Sequence, residues 1–328
     1  MKNIGVLYTG GTIGMESSEH GLRPATDLSQ YIFSGSLKLH WTIWNPLLDS
    51  SQIQLSHINQ CLDFIEQNQH RYQGFLILHG TDTMAYTAAV VARLWHNASI
   101  PIIFTGAQKT WHEKDSDAQN NIQAALSLLE SDFYSVGIVF HHTLYNPLDC
   151  RKISTEQEEA FASIYQPPLG EFSKQQWHFL PNTTVMQNIF SGSLKQSSTN
   201  RTTTYEVKTA STTRLQENLK IASFYLSPTV DFQAIIHAMN TADAIILYTF
   251  GNGNMPYHAE FLQAAKYFTQ NGGIIINQSQ VWQGNANARY ASNHATHNAG
   301  ILNAGKRTIE DVWAELVIYL SVFQAGKD

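Results

Sequence analysis

Cysteine is scarce in this chain: Cys61 and Cys150 are the only two among 328 residues. Two thiols are too few for a disulfide framework and fit a reducing compartment. Charged residues make up only 14%. A formal net charge of -6 without a dense basic cluster gives no electrostatic reason to expect nucleic acid as a partner. No apolar run approaches the roughly 18 residues of a membrane span. Met1-Lys2-Asn3-Ile4 enters a strand-like run directly, with no long apolar stretch ending in a small-residue cleavage site. These absences predict a cytoplasmic protein that associates with neither membrane nor nucleic acid, and they make the sequons at Asn182 and Asn200 incidental.

What the chain does have is hydrophobic residues, 43% of the total, over a length that favours two domains with a large core. Short apolar runs predict strands at Ile4–Tyr8, Gly74–Leu78, Ile100–Thr105, Val136–Phe140, Lys220–Leu226, Ala244–Phe250 and Gly273–Asn277. Between them, Ser56–Gln67, Asp117–Leu129, Phe232–Met239 and Tyr257–Thr269 carry apolar residues at helical spacing. A last helix starts at the cap Thr308 and carries a stripe of Ile309, Val312, Trp313, Leu316 and Leu320. Strands alternating with helices imply an α/β fold whose mostly parallel sheet is covered on both faces. Residues 191–214, rich in Ser, Thr, Gln and Asn, read as a linker. The expected organisation is a larger N-terminal α/β domain over 1–190 and a smaller one over 215–328.

Two threonine motifs stand at strand ends. Thr9-Gly10-Gly11-Thr12-Ile13-Gly14 follows the first apolar run, and His79-Gly80-Thr81-Asp82-Thr83-Met84 follows the second. The carboxyl ends of parallel strands are where such sheets present their chemistry. Alone, either motif reads equally well as structure: the first as a tight turn, the second as a helix cap. Together they point to one cleft holding a hydroxyl nucleophile and a group that activates it. No Gly-Lys-Ser/Thr follows the first turn, and its glycines lack dinucleotide spacing, so neither phosphate-binding pattern applies. A catalytic metal is not expected: His141-His142 is an adjacent pair that cannot face one ion from a strand, and His294 and His297 have no carboxylate partner. Cys150 lacks a histidine that would make it a nucleophile.

With these motifs the sequence resembles the bacterial L-asparaginases, in particular their cytoplasmic type I branch. The similarity extends to Asp49-Ser50-Ser51, Thr105-Gly106-Ala107-Gln108, Ser116-Asp117, Pro167-Pro168-Leu169, Gly253-Asn254-Met255-Pro256 and the stretch from Tyr290 onward. The resemblance implies a two-domain asparaginase-like fold and hydrolysis of L-asparagine to aspartate and ammonia through an acyl-enzyme, without cofactor or metal. It implies Thr12 as nucleophile and Thr81, Asp82 and Lys152 as its catalytic partners. Lys152 is placed by counting back from Ala160-Phe161, because the family's local context is replaced by Asp149-Cys150-Arg151-Lys152. Ser50 and Ser51 match the loop that holds the substrate α-carboxylate. Asp82 also faces the substrate amino group, Ala107 lines the reaction centre, and Asn254 reaches a neighbouring subunit's site. The implied assembly is a homotetramer, a dimer of dimers.

The chemistry suits these residue types. A threonine hydroxyl is hardly ionised near neutrality and needs a base. Lys152, acting through Thr81, takes a proton only as the neutral amine, a form that a neighbouring Asp82 carboxylate disfavours. Backbone N–H groups of the Gly80-Thr81 and Gly106-Ala107 turns suit a developing oxyanion. The chain departs from the family at Leu22, where a loop tyrosine is usual and His20 is the nearest substitute, and at Gln52 and Thr110. Leu22 keeps a second reading open, an amino-acid-binding sensor with weakened turnover. Glutaminase activity is a third, since one methylene is worth only about 1–3 kcal/mol in a pocket. An ammonia-producing subunit of a transamidation complex is a fourth.

Overall fold

Eight strands form the large sheet of the computed structural model: β1 (Lys2–Gly10), β2 (Leu37–Leu48), β3 (Gly74–Leu78), β4 (Ile102–Thr105), β5 (Val136–Phe140), β6 (Thr143–Tyr145), β7 (Gly170–Ser173) and β8 (Gln176–Phe179). Their order is β8-β7-β6-β5-β4-β3-β1-β2. The five strands from β2 to β5 run parallel, while β6, β7 and β8 extend the sheet antiparallel. The structure describes residues 1–19, 21–24, 27–95, 99–180, 196–198, 201–203, 214–287 and 292–324.

The two-residue period of the strands sorts their side chains into two cores. Leu7, Phe75, Ile77, Ile102 and Phe104 face helices α1 (Leu55–Asn68) and α2 (Thr81–Leu94). Ile4, Val6, Tyr8, Leu76, Leu78 and Ile103 face α3 (Ala118–Glu130) on the other side. Both faces are buried, so the central strands read as unbroken apolar runs. The antiparallel extension begins at His141-His142, the two-residue turn between β5 and β6. Both residues have positive φ, 44° and 60°, as the tight hairpin turn requires. The pair thus sits in the turn that follows the expected strand Val136–Phe140.

The smaller domain is a four-stranded parallel sheet in the order β9 (Ile221–Tyr225), β10 (Ala244–Thr249), β11 (Ile274–Ser279) and β12 (Leu302–Asn303). One face carries α4 (Phe232–Ala238) and α5 (Ala259–Gln270), with Phe232, Ile235, Phe261 and Ala265 packed on Ile245, Leu247 and Ile275. A short α6 (Ser292–Asn298) precedes β12. The other face carries α7 (Ile309–Gln324), where Ile309, Val312, Leu316 and Leu320 cover Ile246 and Ile276. Ala314, Val317 and Ile318 of the same helix enter the core beneath α2. Helix α7 is therefore common to both domains. Thr308 caps it by accepting from Asp311 N at 3.2 Å. The Asp311 carboxylate pairs with Arg93 of α2 and with Arg307, and Glu315 joins the same two arginines.

Most of the sequence-read linker, along with Asn182, Asn200, His20 and Tyr290, lies outside the described residues. Within it, Gln196–Ser198 and Arg201–Thr203 pair antiparallel. Among the described residues no helix is long and apolar enough to cross a membrane.

Candidate active site

Three turns meet at the carboxyl ends of β1, β2 and β3, and glycine is what lets them meet. Gly10 and Gly11 have φ of 124° and 88°, and Gly11 N donates to Leu48 O at 2.9 Å. A Cβ on Gly11 would strike the backbone of Gly80, and one on Gly80 would lie 2.6 Å from Ser50 Oγ. Side chains at either glycine would drive the three loops apart. Thr9 Oγ1 donates to Leu78 O at 3.0 Å, stitching the first motif to the strand that carries the second. Beneath them His79 is fully enclosed, and burial lowers its pKa to about 4. Its Nδ1 lies 2.8 Å from Gly80 O, which can only accept, so the neutral ring carries its proton there. Nε2 then accepts from Thr87 Oγ1 at 3.1 Å.

On this frame the candidate residues assemble. Thr12 opens a short 3-10 turn (Thr12–Gly14) and is half-buried; among the described residues its hydroxyl has no hydrogen-bond partner. Thr81 is the first residue of α2 and is 5% exposed. Lys152 Nζ donates to Thr81 Oγ1 and to Asp82 Oδ1, each at 2.7 Å. Lys152 is the end of a short strand, Cys150–Lys152, paired antiparallel with Phe161–Ser163, which aims its ammonium at the N-terminus of α2. Ser50 is buried: its Oγ accepts from Asp82 N at 3.3 Å and its carbonyl from Thr83 Oγ1 at 2.7 Å. Ser51 is exposed beside it, its N–H held by Asp49 at 2.8 Å. Cys150 is fully buried, and burial pushes its thiol well above the ordinary range, which makes it core rather than nucleophile.

Ala107 is buried on the next turn, whose Gly106 packs on the His79 carbonyl. The sequence quoted this turn without revealing what holds it. Asp117, 3% exposed, accepts from the backbone N–H groups of Gln108 (2.9 Å) and Lys109 (3.0 Å). Asn121, one helical turn on, donates to Gly106 O at 3.0 Å and to Asp117 Oδ2 at 3.1 Å. The only signal in the sequence was the i, i+4 pair of polar residues on an otherwise apolar helix face.

Asn254 stands apart. It closes a turn in the smaller domain, exchanging backbone bonds with Phe250 at 2.8 and 2.9 Å, and its side-chain Oδ1 is buried with no partner among the described residues. No hydrogen bond among the described residues joins it to the threonine cluster. The side chain of Leu22 lies outside the described residues.

The family described as "Asparaginase, N-terminal" matches residues 3–185, and the "Glutaminase/Asparaginase C-terminal domain" matches residues 220–327. The chain belongs to the asparaginase family. It is 30% identical over 331 residues to L-asparaginase 1 of Escherichia coli K12, which covers 98% of this chain and 92% of that protein. A second relative is the mouse 60 kDa lysophospholipase, 27% identical over 342 residues, or 94% of this chain but 57% of the relative. In three dimensions, L-asparaginase I of Vibrio cholerae superposes with a TM-score of 0.79 at 27% identity, covering 98% of this chain and 93% of that one. The asparaginase fold expected from the two threonine motifs is thus the fold observed.

Proposed function

We propose that this protein is an L-asparagine amidohydrolase with Thr12 as nucleophile. The observation that carries the reading is the Lys152–Thr81 bond at 2.7 Å, with Asp82 on the same lysine nitrogen; among the described residues the Thr12 hydroxyl has no hydrogen-bond partner. Thr12 Oγ1 bonds to the side-chain amide carbon of the substrate as its proton passes to Thr81 Oγ1 and the Thr81 proton passes to Lys152, which receives it as the neutral amine. The C–N bond then breaks and ammonia leaves with a proton, giving an acyl-enzyme. Water attacks the same carbon and releases aspartate, returning the proton to Thr12. Backbone N–H groups at the start of α2, which lack intrahelical partners, and at Ala107 serve the oxyanion.

Substrate binding follows from the surrounding charges. Ser50 and Ser51 present hydroxyls suited to the α-carboxylate. Asp82, more than half exposed beyond its bond to Lys152, offers its second oxygen to the α-ammonium. L-asparagine is the assigned substrate, and glutamine a poorer one. The domain division at 191–214, the cytoplasmic location and a homotetramer belong to the same reading. For the tetramer, the support is the Asn254 side-chain carbonyl, buried without a partner among the described residues, and the exposed side chains of Tyr225, Val281 and Trp282 on the smaller domain.

The test is ammonia release from L-asparagine and from L-glutamine by the wild type and by Thr12→Ala. We expect release from the wild type and a loss of about 10³-fold or more in the variant. Equal release from both proteins would remove Thr12 from the mechanism. Binding of aspartate with no release at any substrate concentration would favour the sensor.

A further inference from the structure

Gln108 is half-buried between Thr81 and the segment that follows Lys152, and its side chain touches both. Its Nε2 donates to Ser154 O at 3.4 Å and to Gln157 O at 3.3 Å. Both are backbone carbonyls and can only accept, so the amide can have only one orientation, with nitrogen toward the segment. The carbonyl Oε1 must therefore face Thr81, and it accepts from Thr81 Oγ1 at 3.2 Å. An oxygen that can only accept fixes the Thr81 hydrogen as pointing away from Lys152. A Thr81 lone pair is then left for the lysine, which donates to it at 2.7 Å. The backbone of Gln108 is itself pinned, its N–H held by the buried Asp117 at 2.9 Å.

From this geometry we propose that Gln108 is a positioning residue of the site. It sets the direction of the Thr81 hydroxyl and ties the 154–157 segment, and with it Lys152, to the same point. The inference rests on the amidohydrolase reading for its kinetic arm only. The charged groups around the tie are Asp82 on α2, which pairs with Lys152, and the Lys109–Glu158 pair at 2.6 Å on the two segments that Gln108 joins. Lys152 meets Thr81 Oγ1 only as a donor, and no bond joins the Lys109–Glu158 pair to that oxygen, so neither pair supplies the acceptor that Gln108 provides there.

The reaction requires the Thr81 hydrogen to turn from Gln108 toward Lys152, which receives it as the neutral amine while Thr81 Oγ1 takes the Thr12 proton. Gln108 thus holds one of two settings of a hydroxyl rotor and releases it to the other. Gln108 acts through Thr81 and the 154–157 segment, so its loss is expected to fall on turnover rather than on affinity.

Two variants separate its functions. Gln108→Met has similar length and removes both ends of the bridge; Gln108→Glu keeps an acceptor toward Thr81 and removes the donor toward Ser154 and Gln157. For Gln108→Met we expect kcat to fall about ten-fold or more with KM within about three-fold, and Gln108→Glu to recover part of the loss. Independently of turnover, hydrogen exchange of the amides over 153–159 is expected to quicken in both variants while exchange in α3 stays unchanged. Unchanged exchange over 153–159, or a loss carried by KM alone, would overturn the proposal. If the wild type releases no ammonia beyond Thr12→Ala, the amidohydrolase reading fails, and the exchange measurement still decides whether Gln108 is the tie.

Discussion

Lys152 bears the heaviest duty of any single side chain here, because its ammonium holds Thr81 and Asp82 together. Lys152→Met keeps the packing of the stem and deletes both bonds. We expect kcat to drop by about 10²–10⁴-fold, the usual worth of a positioned proton-transfer group, with a smaller change in KM; steady-state ammonia release over a substrate series measures it. At this scale the sequence was partly legible. The motifs that hold Thr12, Thr81 and Asp82 stood out because a hydroxyl on a glycine turn at a strand end has a recognisable local pattern, while their individual roles came from the family resemblance. Lys152 emerged only through the family resemblance, since a lysine on a short strand carries no local signature. Asp117 and Gln108 were quoted within motifs, but their roles were not readable. Those depend on a carboxylate meeting backbone N–H groups eight and nine residues earlier, and on an amide spanning to a segment more than forty residues away.

The elements that bring the site together depend on one close crossing, the contact of the Gly11 turn with the Gly80 turn. Gly11→Ala would place a methyl group against the Gly80 backbone at a φ of 88°. The expected cost is about 1–3 kcal/mol, the usual strain of a non-glycine residue in this region, plus the repulsion that pushes the turn away from Ser50. Urea unfolding gives the first quantity, and loss of ammonia release beyond that explained by unfolding gives the second. The central strands and helices α1, α3, α5 and α7 lie where periodicity placed them, to within a few residues, because burial on both faces leaves a plain apolar run; α2 was foreseen only as a cap at Gly80–Thr83. Strand β2 escaped notice. It is an edge strand, so Lys38, His40 and Thr42 alternate with its apolar residues, and Asn45 and Pro46 interrupt it near the register shift. The β5–β6 turn escaped for another reason: His141-His142 fills positions where Asn-Gly is the familiar signal.

Across the whole molecule, the seam between the domains is rich in buried charge. Glu310, at the start of α7, has its pKa raised to about 7 by burial, against the opposing pull of Arg151 at 3.8 Å and with Asp311 adding to the rise. A carboxyl raised above its unfolded value contributes stability that is fully present below about pH 4.5 and is lost as pH rises through about 7. Asp149, raised to about 6 by burial against three backbone N–H groups, acts in the same direction over a lower window. Glu310→Gln imitates the protonated form at every pH. At pH 8 it should therefore be more stable than the wild type, by on the order of 1–3 kcal/mol, and the two should converge toward pH 5. Urea midpoints between pH 5 and 8 read this directly. None of it was visible in the sequence, where Glu310 and Asp311 look alike: the neighbour lies between arginines and the other faces Arg151 alone. The seam also bears on the ancestry of the chain. Because α7 supplies apolar residues to two cores at once, the smaller domain cannot be exchanged for that of a relative as a cassette. Any graft must bring α2 with it, so the two halves of this protein can diverge only in step.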